Sequence, residues 1–292
     1  MHKAGFVNIV GKPNAGKSTL MNALVGEKMS IITPKAQTTR HRIMGIVNQP
    51  DLQIIFSDTP GAIEVKNELQ KNMMVQVQTS LQDADIIILL IDLNDLRDKV
   101  NLVEQVKQTQ LPTIVVLNKM DLSDQETLEK AVSYWEENVN PKAVIPISAL
   151  HQVNVEQVMK HIEAFLPEHP AYFDKDQLTD KPERFFVSEI IREKLLLLYR
   201  EEIPYACEVV VESFKREGRL IRIEASVITE RNSQKGIIIG RAGLGIKNLG
   251  TKSRLDIEDW LESKVHLELT VKVIADWRKK ETYLKQFGYS TR

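Results

Sequence analysis

Gly11-Lys12-Pro13-Asn14-Ala15-Gly16-Lys17-Ser18-Thr19 is the stretch that decides the fold. Its first eight residues are a complete G-x-x-x-x-G-K-S phosphate loop. It leaves an apolar run at 6–10 and opens an amphipathic stretch at 17–25, the strand–loop–helix setting that the motif needs. The glycines let backbone N–H groups turn inward as an anion nest at the positive end of a helix. Lys17 offers a point charge to β- and γ-phosphates, and the Ser18 hydroxyl is a Mg²⁺ ligand. Outward from the loop, near-continuous Ile/Val/Leu runs at 53–56, 86–91, 113–117 and 143–147 read as further strands. Helical patterns at 67–82, 100–109, 125–138 and 154–165 lie between them. That alternation predicts βαβ units and an α/β domain with a mostly parallel sheet.

Three more loops follow predicted strand ends, where open α/β sheets bind ligands. Asp58-Thr59-Pro60-Gly61 places a carboxylate within reach of the metal and a glycine N–H near a γ-phosphate. Asn118-Lys119-Met120-Asp121 supplies a carboxylate that can accept from guanine N1–H and the 2-amino group. Adenine has no such amine, so a buried carboxylate facing it would lose its partners. Asn118 is expected to brace the loop and the base edge, and the Lys119 stem to cover the base plane. Ser148-Ala149-Leu150 is expected to present the Ala149 N–H to the guanine 6-oxygen.

The pattern breaks at 167–182, which holds three of the chain's prolines and no apolar period, and reads as a linker. Beyond it the order is helix at 185–199, a hairpin at 208–214 and 220–227 around Glu217-Gly218, helices at 233–249 and 253–263, a strand at 265–274 and a helix at 277–287. The predicted organisation is a nucleotide domain (1–166), a linker (167–183) and a smaller α+β domain (184–292) that includes a final basic helix. A net charge of −1 conceals an asymmetry: 17 Lys and Arg against 23 Asp and Glu up to residue 180, then 22 against 17. A second half at +5 fits a polyanionic partner. The single cysteine, Cys207, cannot form an internal disulfide and suits a reducing, cytoplasmic setting. No apolar run approaches the roughly 18 residues of a membrane span.

Residues 1–166 resemble a translation-factor-class small GTPase domain, and Lys35-Ala-Gln-Thr38-Thr39-Arg40-His-Arg resembles the switch I loop of the Era family. The resemblance implies that Thr39 completes the Mg²⁺ shell in the GTP state, with Thr38 the alternative. Ala62 stands where signalling GTPases carry a water-orienting glutamine. Relatives with an apolar residue there commonly hold a K⁺ ion on an asparagine placed like Asn14, which implies that role for Asn14 and slow intrinsic hydrolysis. In the second half, Lys235-Gly-Ile-Ile-Ile-Gly240-Arg241-Ala242-Gly243-Leu-Gly-Ile246-Lys247 carries a G-x-x-G loop within an α-β-β-α-α-β order, and resembles a type II KH domain. Glycines there would let a nucleic-acid backbone approach, with Lys235, Arg241, Lys247, Lys252 and Arg254 supplying charge. One GTPase domain followed by one KH domain is the Era architecture. It implies GTP or GDP with Mg²⁺ as ligands, and Lys17, Asn14, Thr39 and Gly61 as the hydrolytic group. It further implies small-subunit (16S) ribosomal RNA near its 3′ end and the 30S subunit as partners, a role in subunit assembly, a monomer, and peripheral association with the bacterial inner membrane. The alternative is an RNA-binding assembly factor whose nucleotide is mainly structural.

Overall fold

The structure, a computed structural model, describes residues 1–95 and 101–289. Val100, expected to open a helix, lies outside the described residues. Two compact units result, one built from residues 1–66 and 70–180, the other beginning at Lys181.

The first unit runs β1 (Lys3–Gly11), α1 (Lys17–Val25), β2 (Ile43–Gln49), β3 (Leu52–Asp58), α2 (Glu68–Gln82), β4 (Ile86–Asp92), α3 (Leu102–Thr109), β5 (Thr113–Asn118), α4 (Gln125–Val139), β6 (Ala143–Pro146) and α5 (Val155–Phe165). Its sheet has the order β2-β3-β1-β4-β5-β6, parallel except where β2 returns antiparallel on β3. Every residue of β3 and β5 is buried, as near-continuous apolar strands covered on both faces should be. Register sets the site. Ile9 pairs with Asp58, Asp92 with Asn118, and Leu117 with Pro146, so the motif loops after β1, β3, β5 and β6 leave the same, carboxyl end of the sheet, with β4 between the two pairs.

Strand β2 was not expected. Gly45 and the polar Asn48 and Gln49 interrupt its apolar run, so no strand period shows. Nor is 167–180 a free linker; it is a strap on the first unit. Ala4 N donates to Pro167 O (3.1 Å), Gln53 Nε2 donates to Phe173 O (2.9 Å), and Gln53 Oε1 accepts from the N–H groups of Tyr172 and Phe173. Farther on, Ile46 N donates to Leu178 O (2.8 Å) and Thr179 Oγ1 to Met44 O (2.7 Å). The strap bends and turns along its course, with Gln177 N bonded to Asp174 O, and backbone groups of the edge strand β2 supply partners for its far end. The compact unit therefore ends at Asp180 rather than 166.

The second unit runs α6 (Glu183–Leu198), α7 (Ile203–Ala206), β7 (Glu208–Glu217), β8 (Leu220–Thr229), α8 (Asn232–Ile239), α9 (Leu244–Leu261), β9 (Lys264–Val273) and α10 (Glu281–Gln286). Its sheet order is β7-β8-β9, with β9 parallel to β8. The helical stretch expected at 233–249 breaks at the glycine loop 240–243, and 244–261 is one continuous helix. The expected terminal helix is a 3₁₀ turn (Trp277–Lys279) followed by α10. Trp277 is fully buried and its Nε1 donates to Ala206 O (3.0 Å), so this segment is anchored in the core. Arg192 is buried as well. Burial opposes its charge, and Glu189, hydrogen-bonded to it at 2.7 and 2.5 Å, holds the guanidinium protonated above its ordinary range.

Candidate functional site

The loop 11–18 wraps the N-terminus of α1. Gly16 takes φ +101°, a left-handed conformation, and a Cβ there would lie 2.2 Å from Asn118 Nδ2. Asn118 explains the crowding: its Nδ2 donates to Ala15 O (2.7 Å), and its Oδ1 accepts from Ala149 N (3.0 Å). One side chain at the end of β5 thus ties together the phosphate loop and the 148–150 loop. The Ala149 N–H, expected to face a guanine oxygen, is directed to Asn118 instead.

A cavity of about 490 Å³ opens at this edge. Its walls include Pro13, Asn14, Gly16, Lys17, Ser18, Thr19, Thr39, Gly61, Asn118, Lys119, Asp121, Ser148 and Leu150. Other expected residues lie behind the wall. Lys12 turns away to Asp95 (3.3 Å), and Thr59 donates to Ile9 O (2.8 Å). Pro60 is buried beside it, and Gly11 O accepts from Ala62 N (3.2 Å), joining the two loops. The front wall, Ile31 to Pro34 with Gln37, escaped sequence reading. The apolar pair Ile31-Ile32 before a proline was its only signal. Asn22 of α1 holds the entry to that wall, accepting from Met29 N and Ser30 N and donating to Ser30 O (3.0, 2.9 and 2.8 Å).

At the floor, Ser18 Oγ donates to Asp58 Oδ2 (2.7 Å) and lies 2.9 Å from Thr39 Oγ1. Thr39 Oγ1 also donates to Asp58 Oδ2 (3.1 Å). Thr38 instead donates to Lys35 O (2.6 Å), so Thr39 is the threonine brought to the floor. Lys17 Nζ donates to Gly11 O (3.1 Å) and Lys12 O (2.7 Å). Burial pushes the Lys17 ammonium down to about 8 against the pull of Asp58, and pushes the Asp58 carboxyl up against Ser18 and Lys17. A buried cation, a buried carboxylate and two hydroxyls in contact form a site primed for charge. Asp58 Oδ1 is buried and accepts no hydrogen bond. An orphaned carboxylate oxygen beside two hydroxyl oxygens is a hard-oxygen set that fits Mg²⁺.

At the far end of the cavity, Asp121 is exposed. The Ser148 side chain holds its carboxyl below the ordinary range, and His151 Nε2 lies 3.8 Å away. Lys119 Nζ donates to Asp92 Oδ2 (2.5 Å), which fixes its stem along the cavity wall. Asn14 Nδ2 donates to Pro34 O (3.1 Å).

In the second unit, α8 ends at Gly240 (φ +71°), where a Cβ would meet Gly245 N at 2.8 Å. The glycine lets α8 and α9 meet across a four-residue loop. Arg241, Ala242 and Lys247 are exposed around it, and Lys235 is half-buried on α8. The charge is less concentrated than expected. Arg254 is paired with Glu258 (2.8 Å), and Lys252 lies about 140° around α9 from Lys247.

Comparison with known proteins fits this geometry. A family model described as 50S ribosome-binding GTPase matches residues 6–119, and one described as KH domain matches 202–278. GTPase Era of Staphylococcus haemolyticus is 44% identical over 99% of this chain and 97% of its own length. The chain belongs to the Era family of GTPases. GTPase ERA-like of Oryza sativa chloroplasts is 46% identical over 99% of this chain and 70% of its own length. A crystal structure of Era in complex with MgGDPNP and nucleotides 1506–1542 of 16S ribosomal RNA is 39% identical, with a TM-score of 0.95 and full coverage of both chains. A substituted Aquifex aeolicus Era bound to GDP·AlF4⁻ is 39% identical, with a TM-score of 0.94, covering 99% of this chain and all of that one.

Proposed function

We propose that this Era-family GTPase is a GTP-hydrolysing switch whose KH domain binds 16S ribosomal RNA near its 3′ end and assists assembly of the 30S subunit. One observation carries the reading: Ser18 and Thr39 reach Asp58 together at the floor of the cavity. A merely structural nucleotide pocket has no need of a threonine from a separate loop at that point. Ser18, Thr39 and, through water, Asp58 would hold Mg²⁺, which when bound neutralises charge on the β- and γ-phosphates. Lys17 exchanges its two carbonyl partners for phosphate oxygens. Gly61 offers its N–H on the γ-phosphate side, and Asn14 keeps Oδ1 for a K⁺ ion while its Nδ2 holds Pro34. Asp121 selects guanine, Lys119 covers the base, and Asn118 fixes both loops. In the KH domain, Gly240 to Gly243 with Lys235, Arg241 and Lys247 would receive the RNA backbone, with Lys252 and Arg254 lending longer-range charge. A monomer in the cytoplasm, with peripheral contact to the inner membrane, completes the proposal; no helix among the described residues is long and apolar enough to cross a membrane.

The test is phosphate release from GTP by the full chain. Wild type should turn over slowly and only with Mg²⁺, while Ser18→Ala should lose metal-dependent turnover. Equal turnover by Ser18→Ala would overturn the assignment of the floor.

A further inference from the structure

Three residues beyond Thr39, the chain enters β2 through a side chain that the nucleotide site does not touch. Arg42 Nε donates to Ser57 Oγ (2.5 Å), Nη1 to Asp83 Oδ2 (2.5 Å), and Nη2 to Asp83 Oδ1 (3.1 Å) and Asn8 Oδ1 (3.4 Å). Its backbone N–H donates to Gln76 Oε1 (2.6 Å). Asn8 Nδ2 in turn donates to Asp83 Oδ1 (2.8 Å) and to Ser80 O. Asn8 and Ser57 are completely buried, and the Arg42 side chain is only 12% exposed.

These partners are not scattered. Ser57 directly precedes Asp58, and Asn8 lies on β1 three residues before the phosphate loop. Gln76 belongs to α2, the helix that follows the Asp58–Gly61 loop, and Asp83 lies just past its end. The guanidinium fork therefore joins the exit of the Thr39 loop to β1, to the strand of Asp58 and to the turn after α2, while the backbone N–H of the same residue reaches α2 itself. The entry of the same loop is held by Asn22, its middle by the Asn14–Pro34 bond, and its exit by Arg42, with the neighbouring Arg40 completely buried.

We propose that Arg42 is a positioning residue for the GTP state: its fork sets the span from which Thr39 reaches the metal side of the site and makes Thr39 and the Gly61 loop respond to the γ-phosphate together. Arg suits this role and Lys does not, because only a planar fork with donors on separate nitrogens can serve Ser57, Asn8 and Asp83 at once. The inference rests on the reading of Thr39 above. It predicts a defect specific to the triphosphate, since GDP has no γ-phosphate for either loop to meet.

The experiment measures GDPNP and GDP affinities of the full chain, with Mg²⁺, for wild type, Arg42→Lys, Thr39→Ala and the double variant. Arg42→Lys should weaken GDPNP binding about tenfold, the loss expected when a charged, partly buried hydrogen-bond set is broken, and leave GDP affinity within about twofold. The double variant should bind GDPNP no more weakly than Thr39→Ala, because residues acting as a unit are not additive. Equal losses for both nucleotides would show a purely structural side chain, and multiplying losses in the double variant would show that Arg42 does not act through Thr39. Either result overturns the proposal. If Thr39→Ala itself leaves GDPNP affinity intact, the reading of Thr39 fails, and with it the route proposed for Arg42; a triphosphate-specific loss in Arg42→Lys would then assign the clamp to the Gly61 side.

Discussion

The two glycine loops of this chain are held in opposite ways. The loop at 11–18 is fastened from outside by side chains on distant elements: Asn118 grips Ala15, Ser18 is bonded to Asp58, and Asn14 reaches Pro34. The loop at 240–243 is shaped by its own backbone, with φ of +71° at Gly240, +51° at Ala242 and +77° at Gly243, and its exposed side chains turn outward. The first arrangement suits recognition of a particular ligand, because each side chain is held in one geometry by named partners. The second offers N–H groups and charge to a backbone of any sequence. Substitutions should therefore act sharply and selectively in the first loop region, and more uniformly in the second.

The largest expected effect tests the selective side. Asp121→Asn replaces the acceptor for the guanine amine by an amide that suits the 2-oxo group of xanthine. GTP affinity should fall on the order of 10³-fold or more while XTP binding appears, as expected when buried partners are left unmatched. Titration of both nucleotides checks this, and unchanged GTP affinity would remove Asp121 from base recognition.

Next comes the uniform side. Placing Asp at both Arg241 and Ala242 sets carboxylates where phosphate would lie, and should weaken RNA about 100-fold with a shallower salt dependence. GTP turnover without RNA should stay near that of wild type. Anisotropy titrations with small-subunit RNA at two salt concentrations decide it; undiminished affinity would move RNA binding away from the glycine loop.

A smaller effect is expected from the monovalent ion. With Ala62 in place of a water-orienting glutamine, turnover in KCl should exceed that in NaCl by about tenfold or more, short of the roughly 10²–10³-fold that one preorganised donor contributes to a transition state. Asn14→Ala should lose the difference. Equal wild-type rates in the two salts would take K⁺ out of the reaction.

The last effect is a pH dependence with a defined sign. Lys17 in the free protein is lowered to about 8, and phosphate oxygens favour its charged form. Nucleotide affinity should therefore be complete below pH 8 and decline as pH rises through that value, by up to about tenfold at pH 9. Lys17→Ala should bind weakly with no such slope between pH 7 and 9. A flat wild-type profile would mean that Lys17 keeps its proton throughout.

The same contrast governs what could be read in the sequence. The four loops of the nucleotide site were legible because their chemistry needs fixed residue types at strand ends, and the sheet register brought them together. Long-range side-chain bonds were not. The strap at 167–180 reads as a linker because its partners, Gln53 and the backbone of β2, lie more than a hundred residues away. Strand β2 was hidden by Gly45, and the clamp at Arg42 by a polar stretch in which nothing marks one arginine above another. In the second domain the G-x-x-G loop was legible, but helix phase and the Arg254–Glu258 pair, neither visible in composition, thinned the charge expected around it.

In a switch of this kind the nucleotide state governs RNA binding. That dependence is tested most directly by titrating the full chain with small-subunit 3′-end RNA in the GDPNP-bound, GDP-bound and nucleotide-free states at one salt concentration. The account predicts tightest binding with GDPNP and weaker binding in both other states. Equal affinity in all three would contradict it and leave the nucleotide a structural part of an RNA-binding protein.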